Sequence, residues 1–324
     1  MNHVIFSKKD VILLSDIGVN LVQMKSILIL SWFDKSTIKH LRLPFSFFLM
    51  PVFLFAISQA NTINWRSTVI GFIILHLFVF PSSNGYNSFQ DRDTGSIGGL
   101  KYPPKVSRNL YHATLLMDIV AVMSGLLISY IFSLFVFIFI MISRAYSFRN
   151  VRLKQYPVIG FLTVFLFQGA FVYMMASSAI TTFSLGSFFT INNIICMSVA
   201  SLFIGSVYPL TQIYQHEADK KDGVTSISYK LGYNGTFVFS GTLFIVAAVF
   251  LYYYFNLKHQ QIAVLLFILL MLPVIIDLSV WFAKVRKNKD NANFENTMTM
   301  NLLTSSCMNL YFLVLILNNQ FTWF

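Results

Sequence analysis

Acidic residues are scarce in this chain: twelve Asp and Glu among 324 residues, and only 11% of positions carry a formal charge. A soluble domain draws about a quarter of its residues from the charged set, so water is not the main solvent of this one. Cysteine is nearly missing too. Cys196 and Cys307 both lie in apolar stretches, and two isolated thiols make neither a disulfide framework nor a zinc site. His76 and His112 have no second His or Cys at metal spacing, so they read as core or interfacial residues. No cleavable signal peptide is expected: Lys8, Lys9, Asp10 and Asp16 interrupt residues 1–23, and no clean cleavage site follows.

What remains is apolar. Hydrophobic residues make up 56% of the chain, and mean hydropathy is +0.68. Apolar runs fall at 44–60, 65–82, 111–127, 129–145, 157–178, 189–212, 232–255, 260–283 and 300–319. They predict an all-α, polytopic membrane bundle of about nine transmembrane helices around a central cavity. Residues 1–43 form an N-terminal cytoplasmic segment, and 44–324 form one membrane domain. Within that segment, residues 1–23 read either as native chain or as an upstream extension, because Met24 opens a second plausible start. One helix over 111–145 would reach about 50 Å, well past a hydrocarbon core of about 30 Å. A hairpin near Ser129 is therefore expected, although neither Pro nor Asn marks it.

The net charge of +11 does not point to nucleic acid. With the nine spans in place, 21 of the 23 basic residues fall on one side, and only Arg66 and Lys258 fall on the other. That asymmetry puts the N-terminus in the cytoplasm, as in a bacterial inner membrane.

Five of the twelve acids sit in two segments that match at an offset of 128 residues. The first runs from Pro81 through Tyr86, Asn87, Asp91, Arg92 and Asp93 to Gly95. The second runs from Pro209 through Tyr214, Gln215, Glu217, Asp219, Lys220 and Asp222 to Gly223. On a helix, Asn87 and Asp91 share a face, as do Gln215, Asp219 and Asp222. Gly95, Gly98 and Gly99 predict that the first helix unwinds soon after Asp91, turning Asp93 back toward the site. Four intervening helices return the chain to the same membrane face. Hard oxygen ligands of this kind suit Mg²⁺, which takes one or two carboxylates plus phosphate oxygens. Arg92, Lys101, Lys105, Lys220 and Lys221 lie close enough in sequence to neutralise a phosphorylated ligand.

These residues resemble the UbiA-type intramembrane prenyltransferases, which carry Asp-rich motifs after the second and sixth of nine helices. Asn87 and Asp91 match the family's first motif, and Asp219, Lys220 and Gly223 match its second. The run from Tyr146 to Pro157, with Arg152 and Lys154, resembles its Tyr-plus-basic element, and residues 39–46 resemble its approach to helix one. The likeness spans roughly 36–320. It implies Mg²⁺-dependent transfer of an isoprenyl group from its diphosphate to a small hydrophobic acceptor, aromatic or lipid-like, with release of pyrophosphate. The implied catalytic residues are Asp91, Asp219 and Tyr146. Diphosphate binding falls to Arg92, Lys101, Lys105, Arg152, Lys154 and Lys220, and metal ligation to Asn87, Asp91, Asp93, Gln215, Glu217, Asp219 and Asp222. Two departures stand out. Gly95 replaces the last Asp of the first motif, with Asp93 two residues earlier. Gln215 replaces the first Asp of the second, with Glu217 two residues later, so the carboxylate count is expected to hold while positions shift.

Two other function classes compete for the same residues. A secondary transporter would use the acids as a cation site, but such sites tend to lie at mid-membrane. A phosphoribosyl or other polyprenyl-phosphate transferase would look much the same at this level. Asp118 and Asp277 stand alone in apolar spans; an interhelical hydrogen bond or snorkelling is favoured over lining the acceptor pocket or acting as a base.

Overall fold

The computed structural model describes residues 31–321; residues 1–23, whether native chain or upstream extension, lie outside the described residues. Among these residues the chain is helical, in nine main runs. They are α1 (Lys35–Gln59), α2 (Trp65–Asp91), α3 (Asn109–Gly125), α4 (Tyr130–Ser147), α5 (Pro157–Ile180), α6 (Ile191–Lys221), α7 (Ile227–Leu257), α8 (Gln261–Lys287) and α9 (Phe294–Phe321). All but α3 are long and apolar enough to cross a membrane. The 17 residues of α3 still reach about 26 Å, close to the hydrocarbon thickness. This is an integral, multi-pass membrane bundle.

The expected hairpin is present, and small residues make it. α3 stops at Gly125, where a Cβ would lie 3.0 Å from the Ser133 Cα, so α3 and α4 meet backbone to backbone. Ser129 then caps α4 by accepting from the Phe132 N–H at 3.0 Å. α7 starts at Ile227 rather than 232, but Gly232 adopts φ 68° and breaks it, so the expected start marks the break. Two helices contain π-turns, Ile74–Val79 in α2 and Phe165–Ala170 in α5. In α5 the Ser201 hydroxyl of α6 accepts from the Ala170 N–H at 2.9 Å. Gly169 permits this closeness, because its Cβ would fall 2.3 Å from the Ser201 Cα.

Aromatic contacts tie distant helices together below the site. Phe55 of α1 stacks on Phe312 of α9 at 4.8 Å and leans on Tyr173 of α5 at 5.2 Å. At one end of the bundle the Asn64 N–H donates to the Ile180 carbonyl, and the Tyr254 hydroxyl donates to Gln59, both at 2.8 Å. Arg66 and Lys258 belong to that end, and both acidic segments belong to the other. Asp118 does form an interhelical pair: Arg144 of α4 binds it, and the Ser82 hydroxyl of α2 donates to it at 2.5 Å. Asp277 is half-buried on α8 and does not line the cavity described below. His76 stacks on Phe72 at 4.1 Å, and His112 packs against Trp32 at 5.3 Å. Thr190 caps the start of α6 at the Asn193 N–H.

Candidate active site

α2 ends at Asp91 because Arg92 takes a left-handed conformation (φ 55°), which reverses the chain. Asp91 therefore sits on the last helical turn, and Asp93 folds back into the same cavity. On α6 a 3₁₀ turn at Ile213–Gln215 precedes the final helical turns, His216–Lys221. Gln215, Asp219 and Asp222 all point to the cavity, as their spacing predicts. The two segments touch directly: the Gln215 side-chain amide donates to the Ser96 carbonyl at 3.2 Å.

The loop between α4 and α5 joins them. Arg152, itself left-handed at φ 43°, pairs with Asp222 and reaches Asp91 at 3.4 Å. Lys154 pairs with Asp91 and donates to Asn87 Oδ1 at 3.1 Å. Ser147 donates to the same oxygen at 2.8 Å. Arg149 lies outside the cavity and braces the α2 end, donating to the Gln90 carbonyl at 2.7 Å. Charge-assisted contacts of this sort are about twice as strong as neutral ones, and they hold the two helix ends in one mouth. Asp93 and Asp219 line that mouth without an ion pair among the described residues. Burial, and then the neighbouring Asp91 carboxylate, push Asp93 up to about 6.

Below the mouth lies a cavity of about 320 Å³. Phe55, Phe139, Phe203, Phe244 and Phe312 line its apolar part. Tyr146 and Tyr208, hydrogen-bonded through their hydroxyls, stand beside the acids.

Nine of the fourteen residues expected in the site line this cavity: Asn87, Asp91, Asp93, Tyr146, Arg152, Lys154, Gln215, Asp219 and Asp222. Five do not. Arg92 is spent on the helix-ending turn and lies over the Phe89 ring. Lys101 pairs with Glu295 at the surface. Lys105 is exposed beyond the loop. Lys220 lies over the Tyr229 ring at 5.9 Å and does not line the cavity. Glu217 is exposed, because two residues from Gln215 is a large turn away around a helix. The cations that do reach the cavity come from elsewhere in the chain.

Arg42 is one that spacing alone did not single out. It sits between α1's first turn and a 3₁₀ segment, is only 8% exposed, and donates to the Gly98 and Asn84 carbonyls at 3.0 Å each. An arginine directly before Leu-Pro at the start of an apolar span was the available signal. Tyr208, Tyr214, Asn84 and a neutral stripe on α9 (Asn301, Thr304, Ser305) also line the cavity. The stripe has i, i+3, i+4 spacing, visible in sequence but uncharged.

The sequence profile of the UbiA prenyltransferase family matches residues 47–303. The chain belongs to that family. It is a membrane prenyltransferase. No curated protein matches by sequence. Among solved structures, it is similar to a UbiA homologue from Archaeoglobus fulgidus bound to DMAPP and Mg²⁺ (TM-score 0.60, 18% identity, 87% of this chain and 99% of the other). It is similar also to a UbiA homologue from Aeropyrum pernix K1 without ligand (0.57, 15%, 85% and 98%). A digeranylgeranylglyceryl phosphate synthase shares the fold as well (0.55, 18%, 88% and 98%).

Within the family's pattern, the two departures have different outcomes here. Asp93 lines the cavity in place of an acid at position 95, where a Cβ added to Gly95 would meet nothing within 4 Å. Glu217 does not stand in for the acid missing at 215. Near the first departure Asp93 lines the cavity, and near the second Glu217 is exposed outside it.

Proposed function

We propose that the chain transfers an isoprenyl group from its diphosphate to a hydrophobic acceptor within the membrane, with Mg²⁺ at the mouth of the cavity. The observation that carries this reading is the meeting of two repeated acidic helix ends over one apolar chamber, bridged by Arg152 and Lys154. Family relatives bound to DMAPP or GPP together with Mg²⁺ support it.

The donor set fits Mg²⁺ in kind. Among the described residues no three acids or imidazoles converge closely enough to form a complete metal cage. Mg²⁺ needs no such cage; it takes one or two carboxylates and fills the rest with water and phosphate oxygens. Asn87, Asp91 and Asp93 would hold it on one side, and Asp219 and Asp222 on the other. Bound there, the ion neutralises a diphosphate and makes it a better leaving group.

The chain's own residues do the remaining work. Arg42, Arg152 and Lys154 supply positive charge where the diphosphate accumulates negative charge. As the C1–O bond breaks, its electron pair leaves on the diphosphate. The acceptor's nucleophilic atom supplies the pair for the new bond to C1 and gives up a proton to the released pyrophosphate. The phenylalanine-lined chamber keeps water from the cation-like carbon, and the paired rings of Tyr146 and Tyr208 offer it electron-rich faces. The basic asymmetry of the loops supports a mouth that opens to the cytoplasm of a bacterial inner membrane.

The test uses the purified chain in detergent with radiolabelled geranyl diphosphate and a panel of acceptors, in Mg²⁺ or EDTA. Metal-dependent donor binding and pyrophosphate release are expected. Donor binding indifferent to metal overturns the reading. Ion flux through proteoliposomes with no transferred product favours a transporter instead.

A further inference from the structure

Positive charge reaches the cavity only beside the acids. Arg42, Arg152 and Lys154 are the Lys and Arg side chains among its lining residues. Arg152 and Lys154 are committed to Asp91 and Asp222. Arg42 is held by carbonyls of the loop after Asp93 and of α2. Four carboxylates and the donor's diphosphate share this mouth with three cations, so positive charge is not in excess there to meet a second anion.

The wall formed by α9 is different in kind. Asn301 and Thr304 are 3% and 8% exposed and line the same cavity. Asn301 Oδ1 and Thr304 Oγ1 have no hydrogen-bond partner, and neither has Asn84 Nδ2 on α2. Leaving a buried polar atom unmade costs about 1–3 kcal/mol, so these three uncharged atoms, which line one cavity together with the unpartnered Nε atoms of Arg42 and Arg152, call for a bound partner. α9 starts at the mouth, where the Met298 sulfur accepts from the Gly99 N–H at 3.4 Å. At 1.5 Å per residue, Asn301 and Thr304 lie about 10 and 15 Å along the helix from its first residue. They therefore sit inward of the charged mouth, and Met308 and Phe312 continue the lining deeper.

We infer that Asn301, Thr304 and Asn84 form the acceptor subsite and that the acceptor is electrically neutral, bearing a hydroxyl or carbonyl group instead of a carboxylate or phosphate. The inference rests on the prenyltransferase reading. An amide oxygen, an amide N–H and a hydroxyl complement a group that both donates and accepts. A carboxylate placed there would be stripped of water in a cavity whose three cations already face four acids and the diphosphate, which is far costlier than burying a neutral hydroxyl. Met308 and Phe312 suit the acceptor's apolar body.

The experiment pairs neutral acceptors with anionic counterparts of the same skeleton. Hydroquinone, 1,4-dihydroxynaphthalene and mono-oleoylglycerol are set against 4-hydroxybenzoate, 1,4-dihydroxy-2-naphthoate and lysophosphatidate. The full chain in detergent receives radiolabelled geranyl diphosphate and Mg²⁺, and donor binding is measured separately. Label is expected in a neutral member and at least tenfold less in its anionic counterpart. Thr304→Val and Asn301→Leu are expected to raise the KM for that acceptor at least tenfold, with donor affinity and melting temperature unchanged. Thr304→Ser, which keeps the hydroxyl, is expected to stay near wild type, a rescue that a packing role would not produce. Equal or preferred labelling of an anionic member overturns the inference, as does an unchanged acceptor KM in both variants. Donor binding with no label in any acceptor also overturns it, leaving the donor reading intact. Loss of Mg²⁺-dependent donor binding in the wild-type chain removes the prenyltransferase reading itself.

Discussion

The acidic segments at the ends of α2 and α6 look alike in sequence but are held differently. On α2, Asp91 is nearly buried, with a side chain 6% exposed, and two cations grip it. On α6's end, Asp222 is 33% exposed and pairs with Arg152 and, at 3.5 Å, with Arg149, while Asp219 has no ion pair among the described residues. The first segment is thus anchored by the protein itself. In the second, Asp222 is anchored too, and Asp219 is the acid left to what binds beside it. A carboxylate already paired contributes to folding, whereas an unpaired buried one is poised for an added cation.

The largest effects should separate these roles. Asp219→Ala is expected to lower transfer by at least about 10³-fold, the upper range for one electrostatic contact, with an unchanged melting temperature. Asp91→Ala is expected to lose transfer as severely and also about 3–5 kcal/mol of stability, because Lys154 and Arg152 would be left buried without their partner. Radiolabel transfer and thermal unfolding, measured on the same preparations, check both. An Asp91→Ala protein as stable as wild type would break the comparison. Arg152→Met comes next: it releases both segments at once, so transfer should fall about 10²-fold and the melting temperature should drop. If only the rate falls, Arg152 binds ligand and does not clasp the helix ends.

How much of this could be seen in advance depends on what each residue's position is controlled by. The helix count and the hairpin at Ser129 followed from length and charge asymmetry, which a bilayer enforces over tens of residues. The cavity-facing side of α6 followed from i, i+4, i+7 spacing, and the structure keeps it despite the 3₁₀ turn at Ile213–Gln215. Proximity in sequence failed for Arg92, Lys101, Lys105 and Lys220. Arg92 was consumed by the helix-ending turn, and Lys101 was captured by Glu295 from α9, 194 positions away. The π-turn of α5 was equally hidden, since it depends on the Ser201 hydroxyl of another helix. Arg42 was read as a topology charge, because nothing local shows that the Gly98 loop folds over it.

Smaller substitutions sharpen the contrast within the second segment. Gln215 already faces the mouth and donates to Ser96. Gln215→Glu adds a carboxylate there and should tighten Mg²⁺ binding by up to about tenfold, the equivalent of 1.4 kcal/mol. Titration of donor binding against Mg²⁺ would show it as a lower half-saturation, and a weaker one would mean that the inter-segment hydrogen bond matters more than the charge.

Glu217→Gln should do almost nothing. Its side chain lies on the exposed flank of α6, and among the described residues no ion pair reaches it. A surface change without such partners typically stays within about ±0.5 kcal/mol, roughly twofold in rate or affinity. The paired result decides whether carboxylate count or carboxylate position governs this motif. If Glu217→Gln weakens Mg²⁺ half-saturation as much as Gln215→Glu improves it, the final turns of α6 must rotate when the ion binds. The anchored and adjustable segments would then differ in motion as well as in charge.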